Sequence, residues 1–176
     1  GSQCIVSSIE FFAKKDGSCE VWTDYGREPT GINAFEWAKQ VEELGVGEIL
    51  LTSINRDGMG TGYDCEVTNK ISSSVSIPVI ACGGAESKSD FSKVVKDGSA
   101  DAVAAASIFH YHYYKPKEGL TMQHNEKGLR MGRQIDSGNI DFVNTGYGGQ
   151  KAIMVTPASI LEVKNDMNDQ ILSVKI

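Results

Sequence analysis

Runs of apolar residues alternate with amphipathic stretches over the first 110 residues of the chain. The apolar runs have the length and composition of β-strands and fall at 3–11, 48–54, 77–84 and 101–109. They are nearly continuous rather than alternating, which is typical of parallel strands covered on both faces. Helical periodicity fills the intervals, at 33–44, from about 64 to 73, and at 87–98. This order predicts an α/β fold with four βα units.

Capping residues support two of the predicted helices. An apolar stripe over 33–44 is preceded by Asn33, a favourable N-cap, and followed by Gly45, which suits the position after a helix end. A last helix is predicted over 159–168, because Ser159 and Glu162 have the spacing of a capping box.

Two segments interrupt the alternation of strands and helices. Residues 19–25 (CEVWTDY) follow an Asp-Gly turn and predict a hairpin with the first strand. About 49 residues, 110–158, separate the fourth strand from the last helix. Connections longer than about 15 residues are usually functional loops or inserted subdomains. We therefore predict an insertion at 110–158, with short strands at 138–143 and 151–156.

Composition excludes several classes of function. The chain has 176 residues and a net charge of −6, which argues against sequence-independent nucleic-acid binding. No apolar run approaches the roughly 20 residues of a membrane span, and no signal-peptide pattern opens the chain. Its four cysteines, Cys4, Cys19, Cys65 and Cys82, have no zinc-like spacing, so we expect reduced thiols in a cytoplasmic protein. The length is short for a closed (β/α)₈ barrel, which needs about 250 residues.

Candidate chemistry lies after the carboxyl ends of the predicted strands, where function concentrates in parallel α/β folds. Glu10 follows the first strand, where desolvation suits a carboxylate to acid–base work; the alternative is a solvated strand end. Asp57-Gly58 follows the second strand and is either a simple turn or a substrate-orienting pair. Gly83-Gly84, directly before a predicted helix, favours phosphate binding by backbone N–H groups, and Ser107 adds a hydroxyl.

Other motifs are weaker. No acidic or cysteine residue stands close to His110 and His112 in the sequence, so packing is favoured over metal binding. The aromatic residues around them are favoured as packing groups over base-stacking ones. The basic stretch 127–133 is interpreted as a solvated loop, with contact to an anionic substrate or partner as the alternative. We expect no metal and no cofactor.

Residues 1–110 closely resemble the second half of the cyclase subunit of imidazole glycerol phosphate synthase, the HisF family. The resemblance rests on GSQCIVSSIE, on LLTSINRDGMGTGYD, on IPVIACGGA and on DAVAAASIFH, and it resumes weakly over 159–176. Because the family itself has Gly-Ser-Gln here, Gly1-Ser2 is either native or a tag remnant.

The resemblance implies a TIM-barrel type of fold, a (β/α)₈ barrel of which this chain supplies strands five to eight. Residues 1–109 would be the half-barrel, 110–158 an insertion in the last βα loop, and 159–176 the final helix and tail. In the family, ammonia from a glutaminase subunit (HisH-like) reacts with a bis-phosphorylated ribulosyl-formimino-carboxamide ribotide, in histidine biosynthesis. The partners implied are that glutaminase, a phosphorylated small-molecule substrate, and either the missing N-terminal half-barrel or a second copy of the chain.

The resemblance also implies roles for particular residues. Glu10 stands where the family has a catalytic aspartate, a departure that moves the carboxylate about one methylene outward. Asn55 stands where the family usually has aspartate. Glu48 matches the charged gate through which ammonia enters. The implied substrate- and phosphate-binding residues are Thr52, Asp57, Gly58, Gly83, Gly84, Ala106 and Ser107.

Two other interpretations stay open. Glu10 and the insertion point to a paralogue that channels ammonia in amidino-sugar or surface-polysaccharide biosynthesis. Alternatively, the chain is a non-catalytic phosphate-binding half-barrel that self-associates, because four parallel strands leave open edges.

Overall fold

The computed structural model describes residues 1–113 and 155–172 of the chain. Six strands lie in the described part: β1 (Val6–Ala13), β2 (Cys19–Thr23), β3 (Glu28–Asn33), β4 (Glu48–Ser53), β5 (Val79–Cys82) and β6 (Ala102–Ala104). Its helices are α1 (Ala34–Glu43), α2 (Cys65–Ser72), α3 (Ser89–Asp97), α4 (Ser107–Tyr113) and α5 (Ile160–Leu172). A short 3₁₀ turn, Ser2–Cys4, precedes β1.

The strands form one sheet in the order β3-β2-β1-β4-β5-β6. β1, β4, β5 and β6 are parallel neighbours, so the predicted α/β fold with four parallel strands is confirmed. β2 returns antiparallel along the upper part of β1 and confirms the predicted hairpin. Four parallel strands joined by helices form part of a (β/α)₈ barrel, the fold class expected from the sequence.

One face of the parallel strands carries the core. Ile9, Phe11, Ile49, Leu51 and Val79 are at most 1% exposed. Their cluster includes buried side chains of α1 and α2, namely Ala34, Ala38, Val41, Val67 and Ile71. A second cluster joins β5 to α3, α4 and α5 through Ala81, Phe91, Val94, Ile108 and Val163.

The opposite face of the sheet is less covered than the sequence predicts. Its side chains include Glu10 on β1, Leu50 and Thr52 on β4, and Ile80 on β5, and all are partly exposed. The expectation that both faces would be buried is therefore wrong for this chain. We call the partly exposed surface the inner face, since helices cover the other one.

The caps form as predicted. The Asn33 side chain accepts hydrogen bonds from the N–H groups of Phe35 and Glu36, at 2.9 and 3.3 Å. Gly45 has a φ of +86°, the left-handed conformation that follows many helix ends. Ser159 and Glu162 exchange the reciprocal bonds of a capping box at the start of α5.

Several elements differ from the prediction or lie outside the described residues. The strand expected over 101–109 ends at Ala104, and residues from Ser107 onward form α4, which runs past the predicted start of the insertion. The strand β3 was not predicted. Segment 138–143 and residues 151–154 lie outside the described residues, and 155–156 are not in a strand. The division into domains remains a prediction.

Across residues 1–113 and 155–172, no helix has the length and apolar character needed to cross a membrane.

Candidate functional site

The carboxyl ends of β4, β5 and β6 surround a cavity of about 230 Å³. The loop after β4 supplies Asp57 and Gly58, the end of β5 supplies Cys82 and Gly83-Gly84, and the start of α4 supplies Ser107. Its remaining lining residues are Ala85, Ala104, Ala105, Ala106, Ile108 and Val155. Six of the residues implied by the resemblance therefore meet in one place, while their binding role stays a prediction.

Glycine is required at positions 83 and 84 by close backbone contacts. Gly83 and Gly84 have φ values of +87° and +109°. A Cβ at Gly84 would lie 2.4 Å from the carbonyl oxygen of Gly62, and one at Gly83 would lie 3.0 Å from that of Ser53. The first distance is shorter than a carbon–oxygen contact allows, and the second is tighter than most such contacts. The two glycines therefore let three neighbouring loops approach one another at the cavity.

The helix expected directly after the glycine pair begins later. α3 starts at Ser89, so four residues separate it from Gly84. The prediction that Gly83-Gly84 leads straight into a helix is therefore wrong, because the chain first docks 85–88 through hydrogen bonds from Glu86 and Ser87 N–H to Asp90. The helix that opens at the cavity is α4, whose first residue is Ser107.

No lysine or arginine lines the described cavity wall. An anion there would be held by backbone N–H groups and hydroxyls rather than by ion pairs. Burial raises the pKa of the Asp57 carboxyl, and a hydrogen bond from Gly58 N–H partly opposes that shift. Burial also raises the pKa of the Cys82 thiol, against a hydrogen bond from the Thr52 side chain. Cys82 is consequently a neutral thiol at pH 7, and Asp57 is easier to protonate than an exposed aspartate.

Arg56 fixes the loop that carries Asp57 and Gly58. Its Nε lies 3.3 Å from Asp64 Oδ2, and its Nη1 donates to the carbonyls of Thr61 and Gly62, each at 3.3 Å. Asp64 in turn caps α2 by accepting from Val67 N–H at 3.2 Å. Arg56 directly follows the predicted second strand in the sequence, but no local pattern predicts these contacts.

Two more polar side chains tie neighbouring strand ends together. The hydroxyl of Tyr63, which is 5% exposed, donates to the carbonyl of Ala104 at 3.0 Å and so joins the β4 loop to β6. The Asn55 side chain accepts from Ala13 N–H at 2.7 Å and donates to Ala13 carbonyl at 3.1 Å. An ionised aspartate could not make the second bond, because it has no N–H to donate. Sequence reasoning missed these bridges, since each joins residues more than 40 positions apart.

Glu10 lies on the inner face, outside the cavity wall. It pairs across the sheet with Thr52 of β4 and with Trp22 of β2, and Thr52 pairs with Cys82 of β5. These four side chains therefore form one row that reaches the cavity at Cys82. The Oε2 atom of Glu10 is buried without a hydrogen-bond partner. Glu48, by contrast, lies at the opposite, amino end of β4, where it pairs with Val6.

A larger cleft of about 430 Å³ lies beside the β1–β2 turn and the start of α2. Most of its charges neutralise one another. Lys14 pairs with Glu20 at 2.7 Å, Lys70 with Glu66 at 2.7 Å, and Arg56 with Asp64 at 3.3 Å. We therefore favour the smaller cavity as the ligand site, because glycines and the Ser107 hydroxyl line it and no ion pair occupies it.

Among the described residues, no group of three or more His, Cys, Asp or Glu side chains is placed to hold a metal ion. His112 lies in α4 with its Nδ1 4.0 Å from Glu162 Oε2 of α5, an acidic neighbour that the sequence around it does not reveal. The packing role of the histidines stays a prediction. All four cysteines are free thiols.

Comparison with known proteins gives a consistent result. The family model described as "Histidine biosynthesis protein" matches residues 1–115. Curated relatives include the imidazole glycerol phosphate synthase subunit HisF of Dehalococcoides mccartyi, which is 54% identical over 119 residues, covering 67% of this chain and 46% of the relative. The HisF subunit of Alkaliphilus metalliredigens is 52% identical over 112 residues, covering 64% of this chain and 44% of the relative. The chain thus spans about half the length of the curated relatives it matches.

Proposed function

The chain belongs to the histidine biosynthesis protein family, and from that premise we propose that it is the C-terminal half of a HisF-like cyclase barrel. The proposed reaction takes ammonia from a glutaminase subunit and a bis-phosphorylated ribulosyl-formimino-carboxamide ribotide. It forms imidazole glycerol phosphate and releases an aminoimidazole carboxamide ribotide. The protein would thereby act as a lyase in histidine biosynthesis.

The observation that carries this proposal is the placement of one carboxylate and one anion-sized cavity along a single row of side chains. Glu10 lies in β1, and the cavity begins at Cys82 in β5, two strands away. Adjacent strands are about 4.8 Å apart, so the carboxylate and the cavity rim are separated by about 10 Å. A ligand that puts one phosphate among Gly83, Gly84 and Ser107 must extend about that far to bring its reacting centre to Glu10.

In this proposal each element has a separate task. Backbone N–H groups at Gly83 and Gly84 and the Ser107 hydroxyl hold the phosphate without using a charged side chain. Glu10 transfers protons to and from the closing ring as general acid or base. Ammonia enters past Glu48, at the amino end of the strands, and travels along the inner face toward Glu10.

The second half of the barrel would pair with the free edge of β1. β2 pairs with β1 only from Glu10 to Ala13, whereas β4 pairs with it from Val6 to Phe11 on the other side. Within residues 1–113 and 155–172, the lower edge of β1 is therefore open to another strand, and Val6 and Ile5 beside it are 49% and 55% exposed. Exposed edges favour pairing with a further strand. That strand would come from an N-terminal half-barrel or from a second copy of this chain.

The same open edge favours a second candidate, a phosphate-binding half-barrel that self-associates without catalysis. A third, an ammonia-channelling paralogue in amidino-sugar or polysaccharide synthesis, is favoured by the longer carboxylate at position 10. All three share the anion site and differ in turnover.

Turnover after reconstitution distinguishes these candidates. The chain is mixed with the N-terminal half of the Dehalococcoides HisF, and product is followed with ammonium salt and the ribotide. We expect turnover from the mixture and none from either half alone. Glu10→Gln should abolish it, whereas the same change at the exposed Glu36 should leave it intact.

The outcomes are separable. Turnover that survives Glu10→Gln would contradict the acid–base role. A folded mixture that binds phosphate but turns over nothing would favour one of the other two candidates. A chain that dimerises by light scattering and resists mixing would favour self-association.

A further inference from the structure

Three buried polar side-chain atoms have no hydrogen-bond partner in the part of the chain that the structure describes. They are Glu10 Oε2, Trp22 Nε1 and Ser53 Oγ. Buried polar groups normally find a partner, because leaving one unpaired loses its hydration without replacement. Three such atoms in this small sheet therefore need an explanation.

Two of the three atoms are complementary in chemistry. A carboxylate oxygen only accepts hydrogen bonds, and an indole N–H only donates them. Ser53 is less suited to pair with either of them. It lies on β4 opposite Phe11 of β1, so its side chain faces the helix-covered side of the sheet. Glu10 and Trp22 remain as one unused acceptor and one unused donor.

The sheet register places these two side chains together. Glu10 and Trp22 are directly opposed in the antiparallel β1–β2 pair, so both point to the inner face. Directly opposed residues have Cβ atoms about 4.5–5.5 Å apart. On the other side of Glu10, the Thr52 side chain already donates to Cys82. The donor left for Glu10 Oε2 on this row is the indole of Trp22.

Trp22 is held firmly enough to orient a partner. Its side chain is 8% exposed, and its ring lies 5.3 Å from that of Phe12, with 32° between the ring planes. A glutamate has more side-chain freedom than an aspartate, because it has one more rotatable bond. A fixed donor beside it would restrict that freedom at the one position where a longer carboxylate stands.

We propose that Trp22 is a positioning residue for Glu10, its indole N–H donating to Glu10 Oε2 across the β1–β2 pair. A small rotation of the glutamate side chain closes the bond and satisfies both buried atoms. The bond fixes where the second carboxylate oxygen points and so allows a glutamate to serve in place of a shorter acid. Its catalytic meaning rests on the function proposed above, but the hydrogen bond itself does not.

Nuclear magnetic resonance tests the bond without any activity. The chain has two tryptophans, Trp22 and Trp37, so its ¹⁵N spectrum contains two indole N–H signals. Trp37→Phe assigns them. We expect Glu10→Gln to move the Trp22 indole proton upfield, as loss of a charged acceptor requires, and to leave the Trp37 signal in place. Glu36→Gln, which removes an exposed carboxylate next to Trp37, is the matched control and should leave Trp22 unmoved.

A second variant guards against a folding artefact. Glu10→Asp keeps the charge and withdraws it by about one methylene, so the Trp22 signal should move upfield here as well. Unchanged Trp22 signals in both folded Glu10 variants would overturn the proposal. Equal movement of Trp22 and Trp37 would overturn it too, since that would report a general change of structure.

Kinetics of the reconstituted barrel test the positioning role. We expect Trp22→Phe to lower kcat by about 10- to 100-fold with little change in KM, as for a lost bond to a charged group. In the Glu10→Asp background the same substitution should have little further effect. A purely structural role predicts equal losses in both backgrounds and would refute the positioning role. If no variant turns over substrate, the proposed function fails, while the spectra still decide the hydrogen bond.

Discussion

Replacing Gly84 with alanine should damage the site at one backbone contact. The new Cβ would lie 2.4 Å from Gly62 carbonyl oxygen and 2.9 Å from Arg56 Cβ, at a φ of +109°. The same two loops are joined by a hydrogen bond from Gly62 N–H to Gly84 carbonyl, of 2.8 Å. The β4 and β5 loops must therefore separate to accept a methyl group.

The expected cost has two parts. Holding a non-glycine residue in a sparsely populated backbone region costs about 1–3 kcal/mol. Overpacking against a fixed backbone adds about 1–3 kcal/mol. The free energy of unfolding should fall by about 2–6 kcal/mol, and at about 3 °C per kcal/mol the Tm should fall by about 6–18 °C.

Gly31→Ala is the matched control. Gly31 also has a positive φ, of +74°, but nothing lies within 4 Å of its Cβ position. Its backbone penalty is partly offset by the reduced entropy of the unfolded chain, so we expect a loss of about 0–1.5 kcal/mol. The difference between the two variants isolates the loop contact from the backbone conformation.

Thermal unfolding with and without inorganic phosphate is the assay. At ten times its Kd, phosphate should stabilise the wild type by about 1.4 kcal/mol, which raises the Tm by about 4 °C. Gly31→Ala should keep that rise and Gly84→Ala should lose it. Equal Tm values for the two variants, or a full phosphate effect in Gly84→Ala, would refute the reasoning.

Three further predictions concern single residues. Cys82 should be alkylated more slowly than the exposed Cys4, because burial raises the pKa of the Cys82 thiol. Phosphate should slow the alkylation of Cys82 only, as measured by mass spectrometry. Equal protection of both thiols would contradict the site. Asp57→Asn should raise the Tm at pH 7, because a carboxyl whose pKa is raised in the folded state destabilises the fold once it is ionised. The gain in Tm should vanish below the unfolded pKa of 3.8. A gain that stayed constant with pH would show another cause. Ser159→Ala should lower stability by about 1 kcal/mol through loss of the α5 cap, and an unchanged Tm would argue against it.

Much of the fold could be predicted from the sequence because its signals are local. The stripe over 33–44 and its Asn33 cap identify α1 without any tertiary information. β3 was not predicted, because Glu28–Asn33 contains a proline and a glycine and shows no alternation of apolar and polar residues. It forms by pairing with β2, assisted by the Thr30 hydroxyl, which donates to Val21 carbonyl at 2.6 Å.

The boundary between β6 and α4 illustrates a second limit. Residues 102–109 are alanine-rich and, apart from Ser107, apolar, so periodicity cannot separate a strand from a buried helix. Pairing with β5 decides the matter, because the ladder extends only from Ala102 to Ala104.

Some features of the site, like some of the fold, were predictable from the sequence and others were not. Its position followed from parallel topology, which brings Gly58, Gly83 and Ser107 to one edge of the sheet. The side chains that hold it, Arg56 and Tyr63, act through distant backbone carbonyls that no local pattern reveals.

We propose that backbone donors at the carboxyl ends of β4, β5 and β6 form an anion site. Titration of the ¹⁵N-labelled chain with inorganic phosphate tests it directly. We predict saturable shifts of the backbone amide signals of Gly58, Gly83, Gly84 and Ser107. Saturable shifts confined to Lys14, Lys70 and Lys93 in the larger cleft, or no saturable shift at all, would contradict the claim.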